Sequence, residues 1–275
     1  MYLFIDFITR RSDQLELIVF AVVLILCWNI ENIAALSLNY KKWKHAFINA
    51  RFILTNTPIQ FIMGIAFVNT IQWTHIHHFG LARHITSSHS PLTLFIVTFL
   101  LLDLGEYFYH VIMHKVKRFW MFHLVHHSDT NVDISTTFRE HPGENLIRLS
   151  FTLLWVFLSG SVFWVLILRQ IIQVFSTSFA HINYRLPNRI DSILGLVFIT
   201  PNLHQVHHHF ENPYTDSNYG DVLSIWDRLF GTFKRLDSEN LVFGIDTYMG
   251  KEDKGNFKSL FKIPFGKYRE REKTD

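Results

Sequence analysis

The sequence predicts an all-α protein: a multi-pass bundle of membrane helices with a histidine-rich, two-metal site on the cytoplasmic face. Of its 275 residues, 49% are hydrophobic, a high share for a soluble protein. The 17 histidines gather in a few short clusters. The charges nearly balance, with 26 basic and 23 acidic residues, so no nucleic-acid partner is indicated. With Cys27 as the one cysteine, any metal must be held by nitrogen and oxygen.

The first 90 residues are predicted to form membrane helices and their connecting loops. The run from Leu15 to Leu38 is long enough to cross a bilayer, although Glu31 weakens its second half. No cleavable signal precedes it, so we expect this helix to remain in the chain. The basic stretch from Lys41 to Arg51 is typical of a cytoplasmic loop, and the run from Phe52 to Trp73 is the second predicted span.

Residues 91–235 are predicted to form the catalytic domain. The run from Pro91 to about Tyr109 is the third span, and it returns the chain to the cytoplasmic face. The apolar run 146–175 is broken by "SGS" and predicts a re-entrant or deeply inserted hairpin with Arg148 and Arg169 at its open end. Residues 236–275 are charged, and they predict a solvated cytoplasmic tail.

Three histidine clusters follow the third span, namely "HVIMH" (110–114), "HLVHH" (123–127) and "HQVHH" (204–208). On a helix, histidines four residues apart lie about 40° apart, and the first, fourth and fifth positions share a stripe of about 100°. Thr200 and Pro201 predict a helix start just before the third cluster. Adjacent histidines such as His207 and His208 diverge by about 100°, which suits two metals side by side.

The eight histidines of these clusters exceed what one tetrahedral zinc site needs. Ligation by imidazoles without thiolates favours iron with open positions, while zinc, copper and manganese remain alternatives by ligand type.

The remaining histidines are predicted to lie outside the site. "HIHH" (75–78) has the wrong spacing and, with His84 and His89, falls on the opposite membrane face. His45 belongs to the basic loop, and His209 points about 140° away from His204. "FREHPGE" (138–144) has a glutamate where a cytochrome b5-type haem motif has its second glycine. We therefore expect this segment to order a loop or to hydrogen-bond the metal ligands.

The motifs "DLGEYFYHVIMH", "FWMFHLVHHSDTNVDISTTFREHPGE", "AHINYRLPNRID", "TPNLHQVHHH" and "NYGDVLSIWDRLFGTFK" resemble the fatty acid hydroxylase superfamily, also called the sterol desaturase family. The resemblance covers about residues 95–235. It implies metal ligation by His110, His114, His123, His126, His127, His204, His207 and His208. It also draws attention to His181, between the second and third clusters. Members commonly have an arginine where this chain has Val111, so a charge partner near the site is absent or replaced.

The resemblance implies two ferrous ions that use O2 to hydroxylate or desaturate a lipid, such as a fatty acyl, sterol or alkyl-ether substrate. Acidic and polar side chains close to the ligands are then needed, and the candidates are Asp103, Glu106, His141, Asp221 and Asp227. The chain has no dinucleotide, flavin or haem motif, so electrons are expected from a separate reductase, ferredoxin or cytochrome. Basic residues at 115–118 and 251–273 are candidate docking sites for that donor.

The expected location is a bacterial inner membrane, or the endoplasmic reticulum of a eukaryote. The alternative function is a multi-pass metal-binding or metal-transport protein, for which polar ligands should lie at mid-membrane depth.

Overall fold

The protein is described by a computed structural model that covers residues 2–36, 39–85, 90–245, 247 and 256–269. Its helices are α1 Tyr2–Arg10, α2 Ser12–Ala34, α3 Lys42–Ile76, α4 Leu81–Ile85, α5 Pro91–Lys115, α6 Lys117–His127, α7 Pro142–Ser159, α8 Phe163–Ala180, α9 Asn188–Leu194, α10 Pro201–His207, α11 Ile225–Leu229 and α12 Phe257–Lys262. Within these residues, β structure is limited to isolated bridges. The predicted all-α class is confirmed.

Four segments are long and apolar enough to cross a membrane: Gln14–Ala34, Lys42–Ile85, Pro91–Lys115 and Phe163–Ala180. The second and third contain predicted spans, the first overlaps the predicted span Leu15–Leu38 and ends at Ala34, and the multi-pass architecture is confirmed. Leu38, where we expected the first helix to end, lies outside the described residues.

The helices share one end of the bundle, called the histidine end because α5 delivers its histidines there. Glu31, near the end of α2, accepts hydrogen bonds from the backbone N–H groups of Ile134 and Asn183 at 2.7 and 2.9 Å. Asn183 closely follows the end of α8, and α7 begins near the 3₁₀ turn Ile134–Phe138. Thus α2, α5 and α8 end at this face, and α3 and α7 begin there.

The basic stretch from Lys41 to Arg51 is not the loop that the sequence predicts. Helix α3 begins at Lys42 and continues for 35 residues, about 52 Å at 1.5 Å per residue. The helix exceeds a hydrocarbon core of about 30 Å, so its first turns extend beyond the membrane at the histidine end. The charges therefore lie on a helix extension.

His45 lies on this extension, and its predicted place in a solvated loop is wrong. Its ring nitrogens lie 2.8 Å from Asp129 Oδ1 and 3.0 Å from Asp133 Oδ2. Asn49, one turn later, donates a hydrogen bond of 3.0 Å to Ser135. These contacts fix the start of α3 to the segment that follows α6.

The hairpin α7–α8 is deeply inserted, which is the second of the two predicted forms. Its turn, at Gly160, packs on Gly80 in the loop between α3 and α5, at the end opposite the histidines. A Cβ on Gly80 would lie 2.3 Å from the Gly160 Cα, and both glycines have positive φ angles, 136° and 67°. Only two glycines allow this approach. Each arm has 18 residues, about 27 Å, so the pair crosses the bundle and is not a shallow re-entrant loop.

Arg169 does not lie at the open end of this hairpin. It is buried at the seventh position of α8 and lies 3.3 Å from Glu106 of α5. Arg148 lies near the start of α7, as expected, and pairs with Glu140 at 2.7 Å. The Arg169 contact joins α8 to α5 inside the bundle.

The described part of the predicted tail is not fully solvated. Leu260 and Ile263 are buried in a cluster with Phe52 of α3 and Trp120 of α6. Helix α12 therefore covers the outer surface of α6 at the histidine end. The limits of the predicted domains at residues 90 and 235 remain predictions.

Candidate metal centre

Helix α5 and helix α6 bring the first two clusters together. His110 and His114 lie on the last turns of α5, and α6 begins after the single residue Val116. Helix α6 carries "HLVHH" as its final residues. This tight connection places ring nitrogens of His110 and His123 3.1 Å apart.

The third cluster lies on α10, as predicted. The Thr200 hydroxyl accepts a hydrogen bond from Leu203 N at 3.2 Å, and Pro201 occupies the first turn. The helix ends at His207, with His208 as its C-cap. The short helix thus points the cluster at α6.

Nine histidines gather in two adjacent groups, each with ring nitrogens within 4.8 Å of one another. The first histidine group is His110, His114, His123, His127 and His207. The second histidine group is His126, His181, His204 and His208. The nine are the residues that the sequence and the resemblance single out, so each group could hold a metal ion.

The spacing of the two longer clusters explains this division. His123 and His127, four residues apart on α6, enter the first group, while His126 enters the second. On α10 the assignment is reversed, because His204 joins the second group and His207 the first. Adjacent histidines therefore serve different groups, as their divergence of about 100° predicts.

Hydrogen bonds at Nδ1 orient three of the rings through backbone carbonyls. His110 Nδ1 donates to Tyr219 O at 2.9 Å, and His207 Nδ1 to Ser217 O at 2.7 Å. His181 Nδ1 donates to Thr177 O at 2.7 Å. A neutral imidazole that donates at Nδ1 presents a lone pair at Nε2. Each of these rings is therefore set to coordinate through Nε2.

The Nε2 atoms converge at distances that fit a shared cation. His181 Nε2 lies 3.1 Å from His126 Nε2 and 2.9 Å from His204 Nε2. Two nitrogens that each lie about 2.1 Å from one ion, at right angles, are about 3.0 Å apart. His207 Nε2 is buried and has no hydrogen-bond partner among the described residues. Lone pairs that face each other repel, and a bound cation turns them into ligands.

Burial keeps these imidazoles neutral. It lowers the pKa values of His126, His127, His204 and His208 well below the usual value of 6.5, and the neighbouring histidines lower them further. Burial lowers the pKa of His181 to about 4. Neutral imidazole is the form that binds metal.

Comparison with known protein families agrees with this geometry. The model of the family described as fatty acid hydroxylase matches residues 95–232, which include all nine histidines. The chain belongs to the fatty acid hydroxylase family. The predicted family is thus confirmed, and no solved structure matches the chain.

Curated relatives of this fatty acid hydroxylase family chain cover it only in part. It is 30% identical to alkylglycerol monooxygenase of Homo sapiens over 195 residues, 70% of this chain and 41% of the human protein. The Xenopus tropicalis alkylglycerol monooxygenase is 35% identical over 164 residues, 57% of this chain and 33% of that protein. Ornithine lipid hydroxylase OlsE of Rhizobium tropici is 30% identical over 131 residues, 48% of this chain and 39% of that protein. The chain spans about two fifths or less of these relatives.

In this family member, Glu144 and Asp216 are carboxylates that contact histidines of the two groups. Glu144 forms a short hydrogen bond with His123 Nδ1, and Asp216 Oδ1 lies 3.1 Å from His114 Nδ1. Glu144 lies in the segment that the sequence marks as a partner of the ligands. Asp216 carried no recognisable signal, because its contact with α5 spans 102 positions.

The five predicted partners of the ligands make the following contacts, and their role at the site remains a prediction. Asp103 accepts hydrogen bonds from Val222 N, Leu223 N and the Trp226 indole at 3.2, 3.3 and 2.8 Å. Glu106 accepts a hydrogen bond from Thr152 at 2.7 Å and pairs with Arg169 at 3.3 Å. None of these contacts involves a histidine of the two groups.

The other three predicted partners, His141, Asp221 and Asp227, contact backbone or neutral groups. His141 caps the start of α7 and lies 3.2 Å from Phe261 O. Asp221 accepts a hydrogen bond of 2.7 Å from Gln173. Asp227 accepts hydrogen bonds from Tyr219 N and Gly220 N at 2.7 and 2.9 Å. Asp227 thus holds the residue whose carbonyl orients His110, one step removed from the site.

The histidines excluded by the sequence stay outside both groups. Arg83 lies 3.2 Å from both His75 and His78, at the far end of α3. His209 turns away and accepts a hydrogen bond from Val242 N at 3.1 Å. His89 and residues 251–255 and 270–273 of the basic segment lie outside the described residues.

Proposed function

We propose that this family member is a membrane-bound di-iron oxygenase that hydroxylates a lipid. The observation that carries the proposal is the pair of adjacent, buried histidine groups at one end of a membrane bundle. The relatives named above are two alkylglycerol monooxygenases and an ornithine lipid hydroxylase. Both names describe insertion of oxygen, which favours hydroxylation over desaturation.

Two iron ions, one in each histidine group, would supply activation of O2 and removal of hydrogen from an unactivated C–H bond. The nine imidazoles hold them in place, and Glu144 and Asp216 offset part of the positive charge in the first group. Substrates to test first are glycerol ethers and ornithine lipids, after the printed names of the relatives. Electrons come from a separate donor protein that binds on the cytoplasmic face, near Lys115.

Burial of the site serves this chemistry. His127, His207 and His208 are fully buried, and Trp120 packs on the ring of His114 with centroids 4.9 Å apart. A dry site keeps water from competing for reactive positions and strengthens the interactions of its charges.

Metal transport is the competing function, and it needs polar ligands spread across the membrane. The nine histidines all lie at the histidine end, while His75, in the last turn of α3, and His78, just after it, lie at the opposite end. The described residues thus show ligands gathered at one end. This arrangement favours a fixed centre.

The experiment compares the chain with a His207→Ala variant after expression in a host membrane. With ferrous iron, a reductase system and lipid, we expect O2 uptake and a lipid product heavier by one oxygen. His207→Ala should lose both activities and bind less iron, because the first histidine group then lacks one of its ligand nitrogens. Iron flux without O2 use, or full activity of the variant, would contradict the proposal.

A further inference from the structure

A set of large apolar side chains is exposed in a part of the chain that contains no candidate span. These residues lie at the end of α9, directly after α9 and at the end of α11. We call them the apolar rim: Ile193, Leu196, Val197, Phe198, Leu229 and Phe230. Leu196 and Leu229 are 58% and 69% exposed. Contiguous exposed apolar surface marks a site of interaction.

The two stretches of the rim are neighbours. Phe198 forms an antiparallel bridge with Leu223, and Ile199 N donates to Val222 O at 2.9 Å. The Arg228 guanidinium donates to Gly195 O at 2.8 Å, which ties α11 to the residues after α9. The rim is therefore one surface on one folded unit.

The contacts of this unit with α5 show how deep it lies in the membrane. Asp103 accepts the backbone hydrogen bonds of Val222 and Leu223. It precedes His110 by seven positions on the helix, about 10 Å along the axis. Asp103 is the central residue of the 25-residue candidate span Pro91–Lys115. The unit thus extends from the histidines back along α5 into the depth of the bilayer.

Helix α8 gives the same depth independently. The Gln173 amide donates to Asp221 at 2.7 Å, and the Ser176 hydroxyl donates to Asp221 O at 3.1 Å. Gln173 precedes His181 by eight positions, about 12 Å on a helix. Two membrane helices therefore hold this unit below the level of the histidines.

The rim also continues the surface of the spanning helices. Phe230 stacks on Tyr107 of α5 at 5.2 Å and packs against Phe108 at 5.5 Å. Phe108 in turn lies 6.4 Å from Trp155 of α7. Arg189, at the start of α9, is exposed beside this surface. Arginine beside apolar surface is typical of the boundary between acyl chains and lipid headgroups.

We propose that the apolar rim is inserted into the membrane leaflet that borders the histidine end, with lipid acyl chains as its occupant. The segment from α9 to α11 is then a third membrane-embedded part of the chain, beside the long helices and the α7–α8 hairpin. Its backbone polar groups satisfy one another through the Ile199 and Ser224 hydrogen bonds, as the hydrocarbon region requires. The proposal goes beyond the oxygenase chemistry and rests only on the membrane location.

The test uses nitroxide spin labels on single introduced cysteines in the full chain, reconstituted in phospholipid vesicles. Leu196→Cys and Leu229→Cys report on the rim. Leu17→Cys, 68% exposed on α2, is the control for lipid contact, and the exposed Ser238→Cys is the control for water contact. The unmodified chain measures labelling of Cys27, which is buried. All four positions are exposed, so the substitutions leave the packing intact.

Collisions with O2, which concentrates in acyl chains, are compared with collisions with a water-soluble nickel chelate. The rim labels should show a ratio several-fold above that of Ser238→Cys and close to that of Leu17→Cys. A ratio equal to that of Ser238→Cys would place the rim in water and overturn the proposal. Low collision rates with both reagents would also overturn it, since they indicate a covering protein surface.

Discussion

Glu144 offers a direct test of how the protein sets metal affinity. Its carboxylate is 4% exposed and hydrogen-bonds His123 Nδ1, a ring of the first histidine group. Loss of such a partner typically costs about 10–100-fold in metal affinity. In Glu144→Gln the amide oxygen still accepts from Nδ1, so the orientation of the ring is kept and only the charge is lost.

We therefore expect Glu144→Gln to lower the affinity for one of the two ions about tenfold, which corresponds to about 1.4 kcal/mol of binding free energy. Glu144→Ala removes the orientation as well and should reach about 100-fold, or about 2.7 kcal/mol. Affinity is measured by competition with a chelator, and the iron content per chain by mass spectrometry. Glu239→Gln, on the exposed turn Ser238–Asn240, is the matched control.

The reasoning fails if Glu144→Gln binds both ions as tightly as the unmodified chain. It also fails if the affinities for both ions fall equally, because His123 lies in the first group only. A loss confined to one ion would identify which of the two positions belongs to that group.

Three further predictions follow from the packing and the charge of the histidines. His209→Ala should keep its iron but lose about 1–3 kcal/mol of unfolding free energy, because Val242 N loses the His209 ring that accepts its hydrogen bond. Denaturant unfolding measures this loss, and a loss of iron would contradict the prediction. Gly80→Ala should lower the thermal midpoint through its clash with Gly160, whereas Gly64→Ala, with nothing within 4 Å, should not. The metal-free chain should lose stability as pH falls from 6.5 towards the pKa of about 4 of buried His181, because the unfolded chain then binds more protons; thermal unfolding at several pH values measures this, and unchanged midpoints would contradict it.

Local patterns in the sequence predicted eight of the nine histidines, and the family resemblance added His181. Helical spacing predicts that His207 and His208 diverge, and the structure places them in different groups. The same patterns marked the segment that contains Glu144 but could not indicate Asp216. Asp216 reaches His114 across 102 positions, and such a contact depends on how the loop after α10 folds over α5.

The long-range failures share a physical cause. His45 looked solvated because its neighbours in sequence are basic, but its partners Asp129 and Asp133 lie more than 80 positions away. The sequence left the depth of the hairpin open because the apolar runs beside "SGS" are short. Its contact with Gly80 at the far end, invisible in the local pattern, shows the full crossing.

Because the histidines of α6 and α10 are shared in reverse between the two groups, metal binding would connect the two helices at both groups. Each helix gives two histidines to one group and one to the other, so neither can move away without opening both groups. Any tilt of α6 or α10 therefore changes the geometry of both groups at once, whereas the loss of a charge beside one group acts on that group alone. Metal loading should therefore fix two segments about 80 positions apart relative to each other.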